Sequence, residues 1–218
     1  MKAFQFTTVL FLFSLLILQC SASSSTKSEE PDYTSFGEPV PSDYDSTRLS
    51  AELPVQIATL EKYLKQQSGK YSPNIAFFID MRIPSRYYRF FVVDLTKDSI
   101  IDRALVAHGS GSETEKADSL QFSNIPNSYM SSLGTYKVGA SYQGSFGRSF
   151  KLNGLDPTNS KALERYVVLH RYSCVPDEEQ SYPICNSLGC PMVSEAFFPK
   201  LEQYIDSQAK PILLEIYY

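Results

Sequence analysis

Between His170 and Pro191 the chain carries His170, Cys174, Cys185, Ser187, Gly189, Cys190 and Pro191, which takes in three of its four cysteines and one of its two histidines. A free thiol is mostly protonated at neutral pH, so a nucleophilic cysteine needs an imidazole to accept its proton. His170 and Cys190 supply that pair. His170 ends the apolar, β-branched run Tyr166-Val167-Val168-Leu169, which reads as a buried strand that would hold the ring at its end. Cys190 lies in Ser187-Leu188-Gly189-Cys190-Pro191, where Gly189 permits a close backbone approach and Pro191 keeps the turn out of a helix interior. Backbone N–H groups at Gly189 and Cys190, with the Ser187 hydroxyl, would face a developing oxyanion. The chemistry these residue types suit is cysteine-dependent acyl transfer.

A strand-end histidine followed by Ser-x-Gly-Cys-Pro resembles the L,D-transpeptidase (YkuD-like) catalytic domain, in particular its murein branch of secreted bacterial proteins. Val106-Ala107-His108-Gly109, Phe122-Ser123-Asn124, Ser131-Ser132-Leu133-Gly134, Gly154-Leu155-Asp156 and Arg165 fit the same branch in the same order. The better-known members carry a histidine directly before the Gly-Cys pair, and this chain has Leu188 there. The resemblance implies a Cys190 thioester with His170 as general base, acting on peptidoglycan stem peptides as donor and acceptor without a cofactor. It places His108, Gly109, Ser123, Asn124 and Arg165 near the substrate groove; read from the residues alone, His108 is equally a structural strand-end histidine, and Ser123 and Asn124 are turn residues.

Cysteine arithmetic separates rival readings of the central stretch. In an exported protein two of the three downstream cysteines should pair. Cys174 with Cys185 closes a short loop and leaves Cys190 free, whereas Cys185 with Cys190 would make the stretch inert. His170, Cys174, Cys185 and Cys190 also suffice in number for a tetrahedral zinc site, but their spacing is not that of the usual paired knuckles. No metal is therefore expected, and the absence of Cys-x-x-Cys argues against a redox motif.

The elements that must position these residues follow from hydrophobic patterning. Residues 1–20 read as a signal segment, with Lys2 ahead of the apolar run Val9 to Leu18. Ile17-Leu18-Gln19-Cys20 resembles a lipoprotein box, so Cys20 is a lipidation candidate, with cleavage after Ala22 as the alternative. Export to the periplasm or cell envelope is expected either way. Residues 21–48, rich in Ser, Asp, Glu and Pro, read as a disordered linker. Leu49, Leu53, Ile57, Leu60 and Leu64 then mark one face of a helix over 49–70, with Ser50 as candidate cap and Gly69 past its end.

Residues 71–218 form one domain, expected to be mainly β: a mixed sandwich or barrel of short aromatic and β-branched strands. The expected strands are Ile75–Ile79, Arg89–Leu95, Ile100–Ala107, Gly134–Ala140, Ser149–Leu155, Tyr166–His170 and Ile212–Ile216. One helix follows the cysteine, with Ser194 as cap and Phe197, Leu201 and Tyr204 on its buried side. Tyr129, Tyr136 and Tyr142 read as exposed sheet tyrosines that could also line a groove. The formal charge of −4, with no basic cluster, excludes a nucleic-acid surface. Beside the transpeptidase reading stand an L,D-carboxypeptidase using the same site, a non-catalytic cell-wall-binding relative, and a tethered structural lipoprotein.

Overall fold

The computed structural model describes residues 46–218, with side chains from residue 52; the signal segment, Cys20 and most of the linker lie outside the described residues. Helix α1 (Ser46–Gln66) is followed by strands β1 (Ile75–Asp80), β2 (Phe90–Asp94) and β3 (Ser99–Ala104). After a long segment come β4 (Gly134–Gly144), β5 (Gly147–Gly154), β6 (Val168–Arg171), β7 (Met192–Val193), helix α2 (Phe198–Asp206) and β8 (Leu213–Tyr217). All the strands join one mixed sheet in the order β3-β2-β1-β8-β4-β5-β6-β7. Two antiparallel meanders are thus joined by β8, which pairs parallel with β1 and antiparallel with β4.

Both faces of the central strands are covered, so their sequences are continuously apolar rather than alternating. In β1 every residue is buried. Phe77 and Ile79 join Phe90, Tyr136, Phe150, Leu214 and the α2 residues Phe198 and Leu201 in one core. Ala76 and Phe78, pointing the other way, join Leu53 and Leu60 of α1 with Phe91, Val93, Leu213 and Tyr217 in a second. Burying Leu53 and Leu60 stabilises the docked helix by roughly 1.5–3 kcal/mol each. Arg82 Nη1 also reaches Glu52 Oε2 at 3.3 Å. A third, smaller cluster of Leu105, Ala107, Val175, Ile184 and Met192 lies beneath the 174–185 loop.

Several boundaries differ from the sequence expectation, each for a local reason. Helix α1 begins at Ser46, so Ser50 lies inside it rather than at its cap, and the helix runs through Pro54. Ser194 does not cap α2 either: its hydroxyl accepts the Phe197 N–H at 3.1 Å, one turn early, and α2 starts with Pro199 in its first turn. Strand β6 starts at Val168 because Tyr166 has a left-handed backbone (φ +55°) that ends the preceding turn. Tyr136 is neither exposed nor groove-lining; it is fully buried, its hydroxyl donating to Ser132 O at 2.8 Å.

At the β4–β8 pair, Thr135 lies opposite Glu215 and donates through Oγ1 to its Oε2 at 2.7 Å, while the Thr135 N–H donates to Asp156 Oδ2 at 2.6 Å. Burial, with the nearby Asp156 charge, pushes the Glu215 carboxyl up to about 7. The folded chain therefore holds this proton more tightly than the unfolded chain. Glu215 favours the fold fully in the protonated state and loses that contribution as pH rises from the ordinary carboxylate range through about 7. Glu215→Gln should accordingly raise Tm by roughly 4–8 °C at pH 8 and change it little at pH 4. Thermal melts at both pH values check this, and an equal shift at both would contradict it.

Candidate active site

The Cys190 segment is seated by backbone contacts on both sides. The Ala107 N–H donates to Met192 O and the Ser187 N–H to His108 O, while Ser110 N–H returns a bond to Ser187 O, each at 2.8 Å. Gly109 and Gly189 meet where these segments cross. A Cβ on Gly109 would fall 2.1 Å from Tyr129 O and 2.8 Å from Gly189 Cα, so no side chain fits there. Gly189 itself has φ +115°, a backbone conformation open to glycine and strained for other residues. Its neighbour Cys190 then turns into β7, whose Met192 pairs with His170.

Of the three downstream cysteines, Cys174 and Cys185 form a disulfide and Cys190 is free. The bond removes two ligands from the four-residue zinc set and excludes a Cys185–Cys190 pairing. It ties the chain just after β6 to the chain just before Ser187, so the elements bearing His170 and Cys190 are linked covalently. Closing a loop of this length stabilises the fold by about 2–3 kcal/mol.

The Cys190 thiol accepts the Val168 N–H at 3.4 Å and donates to Tyr166 O at 3.7 Å. That carbonyl reaches the sulfur because Tyr166 holds its left-handed turn. His170 is 3 % exposed, stacked on Phe146 with ring centroids 4.4 Å apart. Tyr172 meets the same Phe146 ring edge-on at 5.4 Å. The His170 Nδ1 lies 3.1 Å from Arg171 O. A carbonyl can only accept, so neutral His170 carries its hydrogen on Nδ1 and leaves Nε2 as a base. Among the described residues no hydrogen bond joins the imidazole to the thiol.

Burial pushes the Cys190 thiol up, against the opposing pull of the Val168 N–H and the Arg165 guanidinium. Burial also lowers His170, against the opposing bond to Arg171. Both groups are therefore neutral at rest. Arg165 donates through Nη1 to Ser123 O at 2.7 Å and Ser132 Oγ at 3.1 Å, and through Nη2 to Met130 O. This same Nη2 sits 3.3 Å from where a Gly189 side chain would begin. Arg165 thus fixes the 123–132 segment around the Cys190 turn and is the positive charge that acts on the thiol.

The other expected site residues divide by what they touch. The Gly189 N–H, expected to face an oxyanion, donates instead to Ser187 Oγ at 3.0 Å. The Cys190 N–H makes no hydrogen bond among the described residues. Pro191 O accepts the His170 N–H at 3.4 Å. Asn124 is spent on structure, its side chain bonding Pro157 O, Ser160 Oγ and the Lys161 N–H, and Ser123 Oγ accepts the Ile125 N–H. His108 is buried against Arg89, its Nδ1 2.9 Å from Arg89 Nη2.

Sequence reasoning missed Phe146, Tyr166, Tyr172 and Arg89. Phe146 had a signal: it occupies the two-residue turn between Gly144 and Gly147, where an exposed aromatic has no packing reason to be. The others depend on contacts between segments remote in sequence.

The family model for the L,D-transpeptidase catalytic domain matches residues 49–213. Among solved structures, the chain is similar to an L,D-transpeptidase from Xylanimonas cellulosilytica at 16 % identity, over 68 % of this chain and 62 % of that one, with a TM-score of 0.38. It is similar to a helical cell-shape-determining protein from Campylobacter jejuni at 11 % identity, over 72 % and 54 %, with a TM-score of 0.43. A Mycobacterium tuberculosis L,D-transpeptidase gives 14 % identity over 67 % and 59 %, with a TM-score of 0.35. The chain thus spans about half to three-fifths of the length of the solved chains it matches. No curated protein matches it. Since the family model takes in most of the sequence and the described fold, this protein belongs to the L,D-transpeptidase catalytic-domain family.

Proposed function

We propose that the chain is a cysteine acyltransferase of peptidoglycan stem peptides, an L,D-transpeptidase with Cys190 as nucleophile and His170 as general base. The observation that carries this reading is the one free thiol among the described residues, seated by a glycine–glycine backbone contact next to a strand whose histidine has its tautomer fixed by Arg171 O. The fixed tautomer supplies the base that a neutral thiol requires.

In the first half-reaction the Cys190 thiol leaves Tyr166 O and passes its proton to His170 Nε2 as the sulfur attacks the carbonyl between an L-centre and a D-centre. The unpartnered Cys190 N–H is the backbone donor for the resulting oxyanion, with the Arg165 charge behind it. Collapse breaks the C–N bond, the leaving D-amino acid takes the proton from His170, and a thioester remains. A second stem-peptide amine attacks the thioester and restores the thiol. Water in place of that amine gives the L,D-carboxypeptidase outcome, which product analysis separates. Because thiol and imidazole are both neutral at rest, deprotonation belongs to the attack itself rather than to a standing ion pair.

Intact-mass spectrometry after incubation with a murein tetrapeptide, and separately with a carbapenem, should show one adduct, mapping to Cys190. Cys190→Ala should form none while retaining its fold, and His170→Ala should slow acylation by roughly 10²- to 10⁴-fold. An adduct elsewhere, or persistence in Cys190→Ala, would remove the assignment. In the free protein, alkylation by iodoacetamide should keep accelerating on the alkaline side of the ordinary thiol range, following the raised Cys190. Turnover should hold its acid-side plateau below the ordinary imidazole range, because His170 is lowered. An alkylation rate already level at neutral pH would indicate a thiolate–imidazolium pair instead.

A further inference from the structure

Phe146 stands at the tip of the β4–β5 hairpin, between the paired residues Gly144 and Gly147. It belongs to none of the three buried clusters and is 41 % exposed, so packing of the fold does not account for it. Its ring meets His170, stacked at 4.4 Å between centroids with 25° between the planes, and Tyr172, edge-on at 5.4 Å. The hairpin is bent and pinned to hold it there. Gly139 and Ala140 of β4 lie opposite the one residue Lys151 of β5, a bulge that bends the strand ahead of the tip. Arg148, just past the tip, donates to both oxygens of Asp206 on α2 at 2.6 and 2.7 Å, and Arg171 Nη2 lies 2.6 Å from where a Gly147 side chain would begin.

His170 needs such a neighbour. The β5–β6 ladder ends at the Phe150–Leu169 pair, so the backbone of His170 is held from the other side, by Met192 and Pro191 O. The imidazole makes one hydrogen bond, Nδ1 to Arg171 O at 3.1 Å, and among the described residues no carboxylate bonds the ring. One bond at one corner fixes the tautomer and leaves the ring plane free to tilt about it. A flat ring stacked on the imidazole removes that freedom and covers a face that water would otherwise hydrate. The charged groups on the neighbouring elements are engaged elsewhere: Arg148 of β5 with Asp206 and Glu202 of α2, Arg171 of β6 over the Phe198 ring, and Arg165 with the 123–132 segment. Cys190, the titratable group of the nucleophile turn, is neutral at rest. The titration of His170 is therefore set by burial, opposed by the Arg171 carbonyl.

We propose that Phe146 is the positioning residue of the His170 base: its ring, stacked on the imidazole, holds the plane from which Nε2 takes the thiol proton and keeps that face of the base out of water. The role that a buried carboxylate fills beside many catalytic histidines is thereby divided, Arg171 O setting the tautomer and Phe146 the plane. The use of the stack in catalysis rests on the acyl-transfer reading, whereas the stack itself does not.

The test makes two measurements on Phe146→Ala and Phe146→Tyr, with Tm recorded for each. The first is a nuclear magnetic resonance titration of the imidazole nitrogens in the Cys190→Ala background, where the chain's two histidines give two ring systems and His170→Gln identifies one. Phe146→Ala should move the His170 midpoint up, toward the ordinary imidazole value, because water regains one face; Phe146→Tyr, which keeps a ring face, should leave it in place. The second is acylation of Cys190 by a carbapenem. Phe146→Ala should slow the maximal rate about tenfold, the scale of one aromatic pair, with the half-saturating concentration little changed and the acid limb moved up with the midpoint. Phe146→Tyr should restore both. An unmoved midpoint, an unchanged rate, or a Tyr variant as impaired as the Ala variant would overturn the proposal. Alkylation of Cys190 by iodoacetamide should be alike in all three proteins, and a loss there equal to the loss of acylation would place the effect in the nucleophile turn and overturn it too. Should Phe146→Ala fail to fold, Phe146→Leu, apolar but without a ring face, carries the same expectation for the rate. A wild-type protein that forms no Cys190 adduct would refute the catalytic reading, and the titration would still decide whether Phe146 governs the ring.

Discussion

Everything at the Cys190 turn depends on two glycines meeting without side chains. Gly109 and Gly189 bring three backbone segments, around residues 109, 129 and 189, closer than any Cβ permits. The peptide bonds of His108, Ser110 and Ser187 are thereby in register to bond one another, and the Arg165 guanidinium can reach Ser123, Met130 and Ser132 across the same junction. The disulfide closes the arrangement from the His170 side. Stability and placement are supplied here by different parts of the molecule. The two sheet cores hold the fold, whereas backbone hydrogen bonds and one cation set the position of the sulfur.

The charged groups around this junction share a pattern in which burial outweighs Coulomb attraction. Desolvation is the largest influence on Arg89, His108, Arg165, His170 and Cys190 alike, and in each it favours the neutral form. Arg89 is drawn down to about 9 and still retains its proton at neutral pH. Burial keeps both histidines neutral, yet they stand in opposite tautomers, His170 set by a carbonyl acceptor and His108 by a guanidinium donor. One offers a lone pair and the other an N–H. That division of labour follows from what lies behind each ring.

Much of this was legible in the sequence where burial is two-sided or periodic. The strand cores β1, β2 and β8 read directly because both their faces are covered, and the apolar face of α1 read from its helical spacing. The cysteine count, read with the expectation of export, pointed to the observed disulfide and to Cys190 as the free one of the three downstream cysteines. Legibility failed where a residue's role is set by a remote segment. Nothing local marks Arg89 as a core residue, since it precedes an apolar run as a strand flank does. A tyrosine with positive φ runs against backbone preference, so the start of β6 was misplaced by Tyr166. β7, at two residues, is too short to carry a period. Tyr136 did carry a signal, because Val138 lies two residues on and shares its buried face.

The position of β8 also governs the order in which the molecule can be assembled. It follows every other strand in sequence, yet it occupies the middle of the sheet, between β1 and β4. Until residues 213–217 have left the ribosome, the two meanders present open inner edges to solvent and to each other, and neither core is closed. Contacts of such long sequence separation fold slowly and leave strand edges available for wrong pairings. Any chaperone or neighbouring chain that binds one of these inner edges competes with β8 for it.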